Sequence, residues 1–499
     1  MSQNLQQQEL CLTHTHSAYQ KIATRIQNAH ESSESLDKLE RDLVVELMNL
    51  GHACLQDFIE AAGDGDMGDQ LTVDDQVVRR SDEKQKRQYR SIFGEFTIGR
   101  YVYFRRKKTK ALAKPLDQKL GLPADEVSYV LEDWLGNLSV DLPFSTVAKW
   151  LESTLGIKVP ASMAHRRVGK LGSYVEDFND QRPPVPLESE REILVALADG
   201  KGVPTRSSFE QRAHDELGIP LKQRPQKQKD YPKSKYCHVL GDRKTQRAIA
   251  GAFYSIAAVS RTAKDVLQGE SRPQAEVTNK RLWAEMNLIG QEEVLHGADR
   301  VFEALAAEYA ERDPEGKKPL VCLMDGDKHL WCLKQRYLPE AIEILDLFHV
   351  LKKLWLAAHC FHREASLEAE QWVRRKLEML LENKVDSVRG LLQRELNRNP
   401  LNSTKRKHLQ SVYRYFTTNR DRMWYGDYLA AGYPIGSGVI EGACKHVIGD
   451  RMCGSGMRWE TEGAQPMLDL RVTKLNGQWD DFIKYRIRAE QEQLYNTAA

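Results

Sequence analysis

Residues 191–204 read REILVALADGKGVP, and residues 317–331 read KKPLVCLMDGDKHLW. Each holds a short apolar run, Ile193–Ala198 and Leu320–Met324, closed by a D-G dipeptide. A run of that length bounded by a turn signal describes a strand buried on both faces of a sheet, the habit of central strands in α/β proteins. An acid that ends such a strand, here Asp199 or Asp325, either caps the following turn or serves as a ligand held at the sheet edge. Two such acids in independent segments are harder to explain by turn capping than one. Asp327 lies past the second strand, in the turn.

A third strand is predicted in residues 341–355, AIEILDLFHVLKKLW, where Asp346 and His349 form a D-x-x-H element just before a helix. His349 either hydrogen-bonds at the helix start or belongs to an active-site wall; no partner set supports a zinc site. Residues 434–459, PIGSGVIEGACKHVIGDRMCGSGMRW, then set Glu441 in a glycine-punctuated helix start followed by a basic, glycine-rich run. Strand-Asp, strand-Asp, helix-Glu is how an RNase H-like nuclease collects metal ligands. The predicted fold class is therefore an α/β RNase H-like catalytic core with an all-helical insertion, preceded by an α+β/helix-turn-helix DNA-binding region. In the insertion, Val373, Leu377, Leu380 and Leu381 form one stripe, ringed by Arg374, Arg375 and Lys376. That charged face is either solvated or in contact with DNA.

At 499 residues the chain is long enough for several domains, and no apolar run reaches the length that spans a bilayer. The N-terminus, MSQNLQQQEL, is polar, so neither a signal peptide nor an anchor is expected. None of the eight cysteines forms a C-x-x-C pair, which argues against a zinc ribbon and against a disulfide framework. Reduced thiols in the cytoplasm are the expectation. The net charge of +2 conceals local asymmetry. Basic residues cluster at Arg105–Lys110 with Lys114, and again at Lys222, Arg224, Lys227, Lys229, Lys233 and Lys235. Each cluster is either a solvated surface or a grip on nucleic-acid backbone.

The predicted domains are 1–84, a helical N-terminal region; 85–122, a β-hairpin with a basic segment; and 123–180, a helix-turn-helix region. They continue with 181–349, the first part of the core; 350–430, the helical insertion; 431–480, the part of the core that carries Glu441; and 481–499, a C-terminal tail. In the hairpin, Phe96, Ile98, Tyr101 and Tyr103 alternate around Gly99. In residues 144–178, Ser145 is predicted to cap a helix with Val147, Ala148, Leu151 and Leu155 inward, which Gly156 ends. The next helix opens at Pro160 and Ala161 and turns Ala164, Val168 and Leu171 inward. Ser162, His165, Arg166 and Lys170 then face outward, where a recognition helix contacts DNA, unless the region is a plain helical bundle. Gly241–Ser260 reads as one or two strands, and Val277–Glu308 as a long helical region with Leu282, Met286 and Ile289 on one face.

The combination of ADGKGVP, LMDGDKHLW, LDLFHVLKKLW and GSGVIEGACKHVIGDRMCGSGMRW resembles the ISKra-type DDE transposases of bacterial insertion sequences. The resemblance covers roughly residues 85–475, including FGEFTIGRYVYF and PLDQKLGLP, although the zinc-ribbon-like cysteines of some relatives are missing. It implies an RNase H-like core split by an all-helical insertion before the catalytic Glu. Asp199, Asp325 and Glu441 match the catalytic acids, and Asp346 with His349 matches the D-x-x-H element of related transposases. Two Mg²⁺ (or Mn²⁺) ions are expected, with Asp199 bridging and Asp325 and Glu441 each completing one ion. His349 is expected to orient water or phosphate. Lys445, His446, Arg451, Arg458 and Trp459 are expected to meet the DNA end as cations and a stacking face.

The implied function is a transposase that binds element ends, cleaves phosphodiesters and joins 3'-OH ends to target DNA. Its expected partner is double-stranded DNA, held by a homodimer or higher oligomer in the bacterial cytoplasm, on the nucleoid when bound. Rival readings are an RNase H-like nuclease or resolvase without strand transfer, and a non-catalytic DNA-binding regulator derived from a transposase.

Overall fold

The computed structural model describes residues 12–495 except 74, 106–110, 207–211, 213–214, 219–244, 269–275, 399–400, 439–441 and 443. The chain divides into two units: residues 181–477, and residues 1–180 together with 478–499.

The first of these is a mixed α/β unit built on a five-stranded sheet. Its strands are β1 (Ile193–Pro204), β2 (Thr245–Ile256), β3 (Thr278–Met286), β4 (Leu320–Met324) and β5 (Ile342–Leu345), in the spatial order β5-β4-β1-β2-β3. β1, β4 and β5 are parallel, whereas β1–β2 and β2–β3 are antiparallel. β4 is buried along its whole length, as its unbroken apolar run predicts. On one face, Leu194, Ala196 and Ala198 of β1 and Leu320, Cys322 and Met324 of β4 pack under helices α1 (Gly297–Arg312) and α2 (Lys328–Tyr337).

Two expectations change here. β1 does not stop at Asp199 but runs to Pro204: beyond Ala198 it loses its parallel neighbour yet keeps β2, from Asp199↔Ala250 to Pro204↔Thr245. Residues 277–296 are not helical. Leu282, Ala284 and Met286 are buried in strict alternation in β3, and the helix begins only at Gly297. The Leu282–Met286 spacing satisfies a helical period and a strand period at once, so that pair could not decide between them. Of the segment Gly241–Ser260, the described residues from Thr245 onward contribute a single strand, β2.

Both edges of the sheet are covered by side chains that satisfy its free backbone groups. At β3, helix α8 (Thr461–Leu475) presents Gln465, which accepts from Met286 N (2.8 Å) and donates to Ala284 O (3.0 Å). Asn476, just past that helix, accepts from Leu282 N (3.0 Å) and donates to Leu282 O (3.2 Å). At β5, Tyr425 donates to Leu345 O (2.8 Å) and Tyr428 to Glu343 O (3.1 Å). These tyrosines belong to the run of helices after β5: α3 (Leu347–Ala358), α4 (Leu367–Leu381), α5 (Val385–Arg398), α6 (Ser403–Thr418) and α7 (Tyr425–Ala430). Val373, Leu380 and Leu381 of the predicted stripe are buried there with Val388, Leu409 and Phe416.

The other unit opens with two helices, Thr13–Glu31 and Leu36–Ala61, but the segment expected to be helical ends in an antiparallel pair, Gln70–Val73 with Gln76–Arg80. The hairpin of Gln85–Ser91 with Gly94–Arg100 turns at Ile92 and Phe93; Gly99 is mid-strand, opposite Lys86. Helices Tyr129–Asp141, Phe144–Leu155 and Ala161–Gly172 bury Val147, Leu151, Ala164, Val168 and Leu171. Ser145 lies within the first turn of its helix and does not cap it, while Gly156 adopts the left-handed φ of +71° that ends it. Residues expected as a tail form a 17-residue helix, Trp479–Tyr495, that buries Trp479, Phe482, Arg486 and Glu490. Two of its charges are buried and paired: Arg486 meets Glu132 (2.6 Å) and Glu490 (2.9 Å). Among the described residues no helix is long and apolar enough to cross a membrane.

The amide clip at β3 yields a test. Gln465→Ala leaves the Met286 N–H and the Ala284 carbonyl without their partner, and loss of such buried pairing costs about 1–3 kcal/mol. Urea unfolding of the variant should show that loss with an unchanged slope, whereas an unaltered midpoint would contradict the clip.

Candidate active site

The register of the parallel strands sets the site. The last rungs pair Met324 with Ala198 on one side and with Leu345 on the other. The next residue on each strand is an acid, so Asp199, Asp325 and Asp346 stand abreast. Neighbouring strands lie about 4.8 Å apart. Side chains alternate along a strand, and Ala198 and Met324 point to the core under α1 and α2. Asp199 and Asp325 therefore point to the opposite face.

Asp199 is half-buried and accepts from Gly200 N at 2.6 Å. The buried thiol of Cys444 is hydrogen-bonded to it; burial and then the charge of Asp199 push that thiol far up, so it stays protonated and donates. Asp325 is held above the ordinary carboxylate range by burial, assisted by the nearby charge of Asp199; the Asp327 N–H (2.9 Å) and His349 oppose the shift. Asp327 itself caps α2 by accepting from His329 N (2.8 Å) and forms an ion pair with Arg247. It is a helix cap.

Asp346 is fully buried and acts as a junction. It caps α3 by accepting from Phe348 N (3.3 Å) and His349 N (3.2 Å), and it also accepts from Ser437 N (2.8 Å). Its other contact is the His349 ring, whose Nδ1 lies 2.5 Å from Oδ2. Burial works to raise Asp346, yet the hydrogen bonds from His349 and Ser437 overcome it and the group ends below its ordinary value. The same hydrogen bond raises His349, against the opposing effect of burial.

Glu441 lies outside the described residues. The chain on either side of it is anchored at the row of acids. Before it, Leu347 N donates to Ile435 O (2.9 Å) and Ser437 meets Asp346; after it, Cys444 meets Asp199. The donors at the ends of these strands are hard carboxylate oxygens, with Asp325 raised by burial and by the nearby charge of Asp199, a donor type suited to a divalent cation of the Mg²⁺ or Mn²⁺ kind.

The predicted DNA-contacting residues separate into two groups. Ser162, His165 and Arg166 are exposed, with the His165 ring edge-on to Phe144 at 5.3 Å. Lys445 and Arg458 are also exposed. Lys170 is different: its ammonium is engaged by Glu490 (2.7 Å) and Asp125 (3.0 Å), which leaves it a structural role. Arg451 and Trp459 are only 2% and 6% exposed and are a correction. The guanidinium of Arg451 lies 4.9 Å over the Trp459 ring, and the indole donates to Met452 O (3.1 Å). Trp459 also accepts from Arg206 N and donates to Pro204 O, both at 3.0 Å, so the pair clamps the distal end of β1. A large ring gains more from burial than from solvent display. The basic residues at 106–110 and 222–235 lie outside the described residues.

Cys444 and Ser437 were missed, because one cysteine and one serine carry no pattern; only their closeness to Glu441 in sequence was a signal. Elsewhere, ligand atoms of His14, Asp57 and Glu60 approach within 4.8 Å of one another. Asp57 is already satisfied there, by His14 N (3.2 Å), Thr15 N (2.8 Å) and the Thr15 hydroxyl (2.7 Å), as the anchor of a helix start. No family model matches the chain, and no curated protein matches it.

The Asp346–His349 pair predicts a pH signature. Folding raises His349, so its contribution is complete below the ordinary 6.5 and is lost as pH climbs through the higher folded value. Folding lowers Asp346, so its contribution is complete above the ordinary 3.8 and is lost as pH falls through the lower folded value. Asp346→Asn should therefore cost most stability between those limits and return His349 towards 6.5. Histidine NMR titration with urea unfolding at several pH values checks both; a pH-independent loss with His349 unmoved would contradict the pairing.

Proposed function

We propose that this chain is a DDE-type transposase that cleaves and joins DNA at a divalent-metal centre held by Asp199, Asp325 and Glu441. The observation that carries this reading is the row of acids: Asp199 and Asp325 abreast on adjacent parallel strands, with the chain around Glu441 anchored at Asp346 and Asp199. The sheet order β5-β4-β1-β2-β3, with acids at the end of the parallel ladder and helices inserted before Glu441, supports an RNase H-like core.

When bound, two Mg²⁺ or Mn²⁺ ions would activate the attacking oxygen and stabilise the leaving oxygen of a phosphodiester. The chain's own groups do the rest. Asp199 and Asp325 hold the cation side of the site, and Cys444 orients the Asp199 carboxylate. Asp346 fixes the start of α3 and receives Ser437 ahead of Glu441 in sequence, and its hydrogen bond raises His349, which favours the imidazolium form that attracts a phosphate oxygen. Cleavage replaces a bridging P–O bond by a bond to water oxygen and frees a 3'-OH. Joining replaces a target P–O bond by a bond to that 3'-OH.

Double-stranded DNA is the substrate, both element ends and target. Exposed Ser162, His165 and Arg166 on one helix, with exposed Lys445 and Arg458 in the segment that follows Glu441 in sequence, supply its contacts. Holding two ends together calls for at least a homodimer, working in the bacterial cytoplasm.

Incubation of the chain with labelled element-end DNA, Mg²⁺ and a plasmid target separates cleaved from joined products. Asp199→Asn, Asp325→Asn and Glu441→Gln should each reduce cleavage to the level seen with EDTA while leaving end binding intact. Full cleavage by the Glu441 variant would overturn the assignment, and cleavage without joining would indicate a nuclease or resolvase.

A further inference from the structure

The turn that carries Asp325 is held from outside the sheet. Helix α6 sets Tyr415 against it so closely that a Cβ on Gly326 would stand 2.3 Å from Cε2, 3.0 Å from Cζ and 3.1 Å from the hydroxyl oxygen. Only a glycine admits the ring at that point. From the inner side, Asp327 N donates to Asp325 Oδ1 (2.9 Å) and the Trp331 indole donates to Asp325 O (2.7 Å). Trp331 is itself covered by the guanidinium of Arg422, 4.2 Å from its ring centre, on the segment that links α6 to α7. Lys353 of α3 lies 5.2 Å over the Tyr415 ring.

The Tyr415 hydroxyl is buried beside the Gly326 amide, with no well-formed hydrogen bond among the described residues. Burial, with the charges of Asp325 and Asp346 nearby, keeps the phenol neutral. What the residue supplies is therefore the shape of its ring.

We infer that Tyr415 is a positioning residue: the inserted helices set the Asp325 carboxylate for cation binding by pressing this ring onto the Asp325–Gly326 turn. The inference rests on the metal-centre reading above and adds a role for the insertion, which completes the metal site as well as covering a sheet edge. Groups that orient a metal ligand typically change affinity by about 10- to 100-fold when removed.

The test is Mn²⁺ binding by the full chain, followed by electron paramagnetic resonance, with circular dichroism to verify that each variant is folded. Asp325→Asn should abolish the binding. Tyr415→Phe, which keeps the ring, should bind within about twofold of the unaltered chain. Tyr415→Ala should bind about tenfold more weakly. Gly326→Ala, which retains Tyr415 but drives it off the turn, should weaken binding to a similar extent and provides a second route should Tyr415→Ala not fold. Combining the two should be no worse than Tyr415→Ala alone, since without the ring the added methyl meets nothing. Undiminished affinity in Tyr415→Ala or Gly326→Ala, with binding lost in Asp325→Asn, would overturn the inference and leave the metal centre standing. Binding that Asp325→Asn does not reduce would overturn both.

Discussion

Two like-charged carboxylates held one strand apart are the constraint on which the larger unit depends. At the strand spacing of about 4.8 Å, their repulsion in a partly buried site is on the order of 3 kcal/mol. Burial is the main cause that raises Asp325, and the charge of Asp199 adds to it. A divalent cation bound between two such carboxylates, as proposed, would offset that repulsion. The parallel register of β1, β4 and β5 makes the conflict unavoidable, because Ala198, Met324 and Leu345 share a rung and an acid follows each.

The surrounding structure keeps that row in place. Gln465 and Asn476 close the β3 edge, and Tyr425 and Tyr428 close the β5 edge, so the sheet that sets the register has both sides tied. The helices that follow β5 thus reach the row of acids by two routes, through the edge strand β5 and through Tyr415 on the Asp325 turn. Asp346 joins a third element, since one carboxylate caps α3, holds His349 and receives Ser437. Loss of that single side chain would release several backbone groups at once.

The placement of the candidate site's aspartates is legible in the sequence where burial and chemistry coincide. The runs before Asp199 and Asp325 are apolar because central parallel strands are covered on both faces, and the acids interrupt them where parallel pairing ends. Asp346 and His349 fell at a helix start, where capping geometry brings residues three apart together. Reading failed where one pattern fits two structures or where charge is buried. Leu282 and Met286 fit either period, so their spacing predicts a helix where the chain forms β3. The helix Trp479–Tyr495 is rich in charge, and its role shows only once Arg486 and Glu490 meet their partners. Lys170 and Arg451 look like surface cations in sequence, yet one is ion-paired and the other lies over Trp459. Contacts such as Cys444 with Asp199 and Tyr415 with Gly326 join residues far apart in the chain, which no local pattern encodes.

The most direct measurement is anomalous diffraction from crystals of the chain soaked in Mn²⁺. A manganese peak is expected between the carboxylates of Asp199 and Asp325, bonded to an oxygen of each. A structure in which those two carboxylates hold no manganese, while ions occupy other acids such as Asp57 and Glu60, would contradict it.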